Sequence, residues 1–157
     1  YSVCQLRPES RGTLQLRSSD PLDSMTIHPN YLSSETDKRF AVAAVKFARK
    51  VAGSAPMNQY MKREFRPGPD VKTDDEILGY CRQYGTTIFH PSGTAKMGPA
   101  SDSMAVVDST LRVHGVDGLR VVDCSIMPTL VSGNTNIPTV MIAEKASDFI
   151  LESARRA

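Results

Sequence analysis

Hydrophobic positions recur at helical spacing in several parts of the chain. In the first, Ser34 suits a helix N-cap, and Glu35 and Asp37 follow it where their charges favour the positive end of a helix dipole. Gly53 is the expected end of this helix. Its predicted buried stripe consists of Phe40, Ala44, Phe47, Ala48 and Val51.

Two more helices are predicted, one in the middle and one at the end of the chain. Thr73 and Glu76 have capping-box spacing, which predicts a helix from Thr73 to about Tyr84 that stops at Gly85. The last helix is predicted to have Asn136 as its N-cap and Pro138 in its first turn. Its apolar stripe would be Ile142, Ala146, Phe149 and Ile150, with Arg155 and Arg156 at its C-terminal end.

Alternating positions predict short strands elsewhere. Residues 1–6 and 12–18 alternate around the turn "RPESRG", with Leu14 and Leu16 on one face. "TTIF" predicts a strand that ends at His90, and "HGVDG" predicts a tight connection between two further runs. Strands and helices without regular alternation indicate an α+β fold, a mixed or antiparallel sheet with helices on one side.

Composition and charge exclude several function classes. The chain has 157 residues, is 40% hydrophobic and 23% charged, and carries a net charge of +2. This balance gives no footprint for nucleic acid, and no apolar run approaches a membrane span. Cys4, Cys81 and Cys124 have no metal-ligand spacing and indicate reduced thiols. Since no targeting signal is visible, we expect a cytoplasmic protein or one peripheral to a membrane.

Chemistry concentrates in the second half of the chain. Asp123 follows an apolar run and Asn136 opens the last helix, whose first amides would favour an anion. Both residues could equally satisfy local backbone groups, the commoner use of these residue types. His90 precedes the loop "PSGTAKMG" and is the candidate general base, although a structural histidine is the alternative. His28 and His114 lie in turn-like contexts, and we expect His114 to be exposed.

Longer motifs carry a resemblance to a known family. "HPSGTAKMG", "VVDSTLRVHGVDGLRVVDCSIMP" and "SGNTNIPTVMIAEKASDFI" resemble the C-terminal part of the glucose–methanol–choline (GMC) flavin-dependent oxidoreductases, with the choline-dehydrogenase-like branch most similar. "LRPESRGTLQLRSSDPLD" and "IHPNYLSSETD" also resemble that family, so the resemblance covers essentially the whole chain.

The resemblance implies an FAD enzyme that oxidises a primary alcohol to an aldehyde. It implies that His90 is the catalytic base and that Asn136 is the second catalytic residue. The cofactor-contacting positions that it implies are Asp123, Cys124, Asn136, Ile137, Pro138 and Thr139. No GxGxxG motif occurs in the chain. We therefore expect FAD to be held mainly by another part of a larger polypeptide, which would be this chain's main partner besides the alcohol.

Residues 1–157 are predicted to form one GMC C-terminal domain. Its strands and helices for the substrate side would occupy about 1–84, and the catalytic and flavin-contacting segment about 85–157. We expect neither a metal nor a nucleic-acid partner. Two alternatives stay open, a hydroxynitrile lyase on the same scaffold and an isolated, non-catalytic fragment. The identity of the alcohol, the electron acceptor and the oligomeric state are not determined by the sequence.

Overall fold

The computed structural model describes residues 2–156, and side chains as far as residue 155. Two strands come first, β1 (Thr13–Gln15) and β2 (Thr26–His28). Four α-helices follow, with a 3₁₀ helix at Cys124–Ile126 before the last of them. The α-helices are α1 (Glu35–Ala52), α2 (Ala55–Asn58), α3 (Asp74–Tyr84) and α4 (Asn136–Arg156). These elements confirm the α+β class, and the chain divides into two compact units between Thr86 and Thr87.

The sheet of the first unit is a small antiparallel pair. β1 and β2 pair with Leu14 opposite Ile27, so the predicted hairpin between residues 1–6 and 12–18 is wrong. Residues 2–6 form no strand, and Tyr1 lies outside the described residues. The turn segment is instead held by α1, because the Asp37 carboxylate accepts hydrogen bonds from the backbone N–H groups of Glu9 and Ser10, at 2.9 and 2.7 Å. Leu14 and Leu16 are both exposed.

Asp37 explains part of how α1 is oriented. Its side chain is only 2% exposed. Burial raises the pKa of this carboxyl, but the hydrogen bonds from residues 9 and 10 outweigh burial and leave the pKa below its usual value. The ionised form therefore stabilises the folded state at neutral pH, and its contribution is lost as the pH falls through the lowered pKa.

The buried face of α1 is not the predicted apolar stripe. Asp37 and Val42 are the buried residues of this helix, whereas Phe47 is 62% exposed and Phe40 and Val51 are exposed too. Helix α1 contacts α2 and α3, and Ile77 on α3 is fully buried. The buried face of α1 includes Asp37 and Val42. The phenylalanines of the helix, Phe40 and Phe47, are exposed and are not part of it.

Helix ends in the first unit agree with their sequence signals. Ser34 accepts from the backbone N–H of Asp37, and Gly53 closes α1 by donating to Arg49. Thr73 and Glu76 form the complete capping box of α3, which ends before Gly85 as predicted. These signals act within one helical turn, so they do not depend on tertiary structure.

The second unit is built mainly from loops around one core. Its apolar core consists of Val107, Leu111, Ile126, Met127, Ile142 and Ala146. The predicted strands of residues 104–122 are reduced to single bridges, antiparallel for Arg112 with Arg120 and for Val107 with Val113. The tight connection at "HGVDG" is present between Arg112 and Arg120. α4 packs on the 3₁₀ helix, and its predicted stripe is confirmed at Ile142 and Ala146, while Ile150 is exposed.

Candidate active site

His90 follows an irregular backbone rather than a strand. Residues 86–89 form no strand, which corrects the predicted "TTIF" strand. Phe89 has a positive φ of 62°, and its N–H donates to the Thr87 hydroxyl at 3.0 Å. This local side-chain bond replaces a ladder bond, and a positive φ at a non-glycine residue breaks the extended run. His90 itself is half-buried.

The loop after His90 is fixed to the chain around the 3₁₀ helix. Gly93 N–H donates to Cys124 O at 3.4 Å, and Met97 N–H donates to Ile126 O at 2.8 Å. The Cys124 thiol also donates to the carbonyl of Pro91 at 3.3 Å. Gly93 has a φ of +85°, where other residues would be strained. The motif "HPSGTAKMG" thus forms a supported loop rather than a free one.

Thr135 brings His90 to the start of α4. Its hydroxyl Oγ1 lies 2.9 Å from Nδ1 of His90, and the residue is 8% exposed. Within the described part of the chain, the other ring nitrogen of His90, Nε2, has no hydrogen-bond partner. An imidazole held through one nitrogen with the second one open is the arrangement that a general base requires. Sequence reasoning missed Thr135.

The start of α4 differs by one residue from the prediction. Thr139 N–H donates to Thr135 O at 2.9 Å, so Thr135 is at the N-cap and Asn136 is the first helical residue. The prediction of Asn136 as N-cap is therefore wrong, because Thr and Asn are both good caps and the local sequence offers both. Pro138 is in the first turn as predicted.

Several groups remain open at this helix start. The backbone N–H groups of Asn136 and Ile137 precede the first intrahelical hydrogen bond. Asn136 is exposed, and the Ile137 side chain is 77% exposed. The helix start therefore offers hydrogen-bond donors, a side-chain amide and an apolar surface side by side.

The other predicted contact residues have partners in the chain itself. Asp123 caps the 3₁₀ helix by accepting from Ser125 N–H at 2.7 Å, as the local-capping alternative predicted. The Thr139 hydroxyl donates to Thr135 O at 2.7 Å, and the Cys124 thiol donates to Pro91 O. These side chains organise the segment, whereas the side chains of Asn136 and Ile137 are exposed.

Lys96 and His114 have partners within the second unit, and His28 belongs to the first unit. Lys96 in the motif forms an ion pair with Asp102, whose hydrogen bond from Lys96 lowers the pKa of that carboxyl. His114 is half-buried rather than exposed, with Nε2 3.0 Å from Gly98 O. His28 lies on β2 and is exposed.

The described residues contain neither a metal-binding cluster nor a membrane-spanning helix. Among the described residues, no group of three His, Cys, Asp or Glu side chains is placed to hold a metal ion. The helices within residues 2–156 include none that is long and apolar enough to cross a bilayer. The three cysteines are free thiols, and burial raises the pKa of Cys81.

Known proteins share the sequence of this chain over most of its length. The family model described as GMC oxidoreductase matches residues 8–143. An oxygen-dependent choline dehydrogenase of Staphylococcus aureus is 50% identical over 142 residues, which are 90% of this chain and 25% of that protein. The chain spans about a quarter of the length of this relative.

Solved structures give the same result. A fungal aryl-alcohol oxidase superposes with a TM-score of 0.84 at 33% identity, over 96% of this chain and 25% of that one. An FAD-dependent oxidoreductase from Chaetomium thermophilum gives a TM-score of 0.88 at 32% identity, over 96% of this chain and 26% of that one. The sequence match and the fold agree over almost the whole chain, which therefore belongs to the GMC oxidoreductase family.

Proposed function

We propose that this chain is the substrate-side, catalytic part of an FAD-dependent alcohol dehydrogenase or oxidase. The observation that carries the proposal is the hydrogen bond between Nδ1 of His90 and Thr135. It brings the imidazole, with Nε2 unbonded among the described residues, to the start of α4. Because the chain spans about a quarter of the length of the relatives that it matches, the rest of a longer polypeptide would supply the dinucleotide-binding fold.

His90 acts as the general base in this proposal. Oxidation of a primary alcohol to an aldehyde removes a proton from oxygen and a hydride from carbon. Nε2 of His90 takes the hydroxyl proton, since Nδ1 is already engaged by Thr135. The backbone bonds from Gly93 and Met97 to residues 124–126 hold the loop after His90 and so restrict the ring's position.

Asn136 stabilises the oxygen as it loses its proton. Asn136 directly follows Thr135 in the sequence, and Thr135 is the residue that contacts His90. A side-chain amide can donate to a developing alkoxide, and a donor of this kind acts like one arm of an oxyanion hole. The open start of α4 adds a favourable dipole at the same place.

The residues at this end of α4 fit the flat, partly anionic ring of FAD. The amides of Asn136 and Ile137 are donors without an intrahelical acceptor, and the exposed Ile137 side chain offers an apolar surface. Pro138 fixes the backbone of the same turn. FAD, when bound, accepts the hydride. Asp123, Cys124 and Thr139 would support this segment through the hydrogen bonds described above.

Choline is the first alcohol to test. The relative that is 50% identical to this chain is named a choline dehydrogenase, whereas the aryl-alcohol oxidase is 33% identical. We propose a choline-like primary alcohol as substrate and leave the electron acceptor to experiment.

The proposed function is tested with the full-length protein in the absence of oxygen. The visible spectrum would be recorded while choline, an aryl alcohol and a secondary alcohol are added in turn. Bleaching of a flavin band by choline supports the proposal, and bleaching by the aryl alcohol alone replaces choline with that class.

Two other results would contradict the proposed oxidation. Cleavage of a cyanohydrin without any bleaching by an alcohol would identify a lyase on the same scaffold. A well-folded full-length protein that contains no flavin and takes up none when FAD is added would exclude the flavin reaction altogether.

A further inference from the structure

We infer that Thr135 is a positioning residue that holds His90 through Nδ1, with the ring proton on Nδ1, so that Nε2 is the free base. The inference deepens the proposed function and rests on it, because the tautomer is argued from the need for a free Nε2 on the base. Its structural part, the position of the ring proton, can be measured separately.

Thr135 is in a position where its hydroxyl would ordinarily cap a helix. The N-cap hydroxyl of α3, Thr73, accepts from Glu76 N–H at 3.2 Å. Thr135 is the N-cap of α4, yet its hydroxyl contacts Nδ1 of His90, 45 residues away in the sequence. A cap hydroxyl ordinarily stabilises its helix by accepting from a first-turn N–H. The Thr135 hydroxyl contacts an imidazole instead, which indicates that it positions the His90 ring.

The surroundings of Thr135 fix where its oxygen lies. Its own carbonyl accepts both from Thr139 N–H and from the Thr139 hydroxyl, at 2.9 and 2.7 Å. The residue is 8% exposed, so water has little access to it. On the other side of the contact, residues 93–97 hold the loop that follows His90. Both partners of the hydrogen bond are therefore supported by the chain around them.

The tautomer follows from what the base must do. A neutral imidazole has one N–H and one lone pair. If the Thr135 hydroxyl donated to Nδ1, the proton would be on Nε2 and that nitrogen could not accept another. With the proton on Nδ1, Thr135 accepts it and Nε2 keeps its lone pair. When Nε2 takes the proton of the alcohol, the Nδ1–H bond to Thr135 is retained, so no second proton has to move.

The tautomer would be read directly from ¹⁵N spectra. Full-length protein labelled at histidine would be compared with Thr135→Ser, which keeps a hydroxyl, and Thr135→Val, which has a similar shape without one. The His90 signals are assigned by their loss in His90→Gln. We expect the Nδ1–H form in the parent and in Thr135→Ser, and a loss of that preference in Thr135→Val. An Nε2–H form in the parent would overturn the inference.

Kinetics test the consequence for the reaction. We expect Thr135→Val to lower the limiting rate of anaerobic flavin reduction about 10-fold, the effect of one lost hydrogen bond to a charged group. Substrate binding should change little, and Thr135→Ser should recover most of the rate. Thr129→Val is the matched control, because Thr129 is exposed and its hydroxyl has no hydrogen bond within the described residues. FAD content and circular dichroism verify that each variant is folded.

The two proposals fail in different ways. If Thr135→Val changed the tautomer while His90→Ala left flavin reduction intact, Thr135 would position the ring but His90 would not be the base. If His90→Ala abolished reduction while Thr135→Val changed neither tautomer nor rate, the base would stand and the inference on Thr135 would be wrong.

Discussion

Helices α3 and α4 both begin with a threonine, and the two threonines are used differently. Thr73 of α3 accepts from Glu76 N–H, and the Glu76 carboxylate accepts in return from Thr73 N–H. Thr135 of α4 contacts His90 instead. One helix start is closed by its own side chains, and the other leaves its donors open. The difference teaches that the same residue type at a helix start can serve either the helix or a distant side chain, here the imidazole of His90.

The largest expected contrast is between the first residues of these two helices. Asn136→Ala in the full-length protein should slow anaerobic flavin reduction by about 10²-fold, as for the loss of one oxyanion donor. Asp74→Ala, at the same position of α3, should leave the rate unchanged. Stopped-flow absorbance measures both. Equal effects, or none at Asn136, would contradict the assignment of an oxyanion role to the start of α4.

Removal of the closed cap should affect stability and not chemistry. Thr73→Ala should make the first-turn amides of α3 exchange about 5-fold faster, equivalent to roughly 1 kcal/mol for a lost N-cap. The rate of flavin reduction should not change. Hydrogen-exchange mass spectrometry of the full-length protein gives the first value, and stopped-flow kinetics give the second. Unchanged exchange would mean that the Thr73 hydroxyl does not cap α3 in solution.

The smallest effect concerns pH. Hydrogen bonds from the backbone N–H groups of Thr73 and Lys72 lower the pKa of Glu76 from its ordinary value of 4.5. Since the folded pKa is depressed, the ionised carboxylate stabilises α3 at neutral pH, and this contribution is lost as the pH falls through the lowered pKa. Protection of the α3 start, corrected for intrinsic exchange, should therefore decline below about pH 4.5.

Glu76→Gln should remove most of this decline, and it should weaken protection already at neutral pH. Asp75→Asn is the matched control, since it removes a carboxylate from the same turn without these two backbone bonds. If Asp75→Asn and Glu76→Gln had the same pH profile, the helix dipole rather than the capping box would be responsible.

The sequence predicted those features that are determined within one turn of the chain. Ser34, Thr73 with Glu76, and Gly85 were placed correctly because each acts on groups three or four residues away. The stripe of α1 was misplaced, since the buried face is set by Asp37 and its bonds to residues 9 and 10. A prediction that assigns the largest apolar side chains to the buried face does not identify a buried carboxylate such as that of Asp37.

The sequence motifs give candidate site residues but not their contacts. His90 and Asn136 stay predictions from the motifs, and the structure adds the contact between Thr135 and His90. That link joins residues 45 positions apart, so no local pattern reveals it. The local sequence "NTNIP" indicates only that Thr135 and Asn136 compete for the cap position of α4.

One measurement tests the role of His90 most directly. Parent and His90→Ala full-length proteins would be mixed without oxygen with the alcohol that bleaches the parent flavin, and the rate of bleaching would be followed at saturating alcohol. We predict a rate roughly 10³-fold lower in His90→Ala, within the range for loss of a general base, with FAD still bound. An unchanged rate in the flavin-loaded variant would show that His90 is not the base.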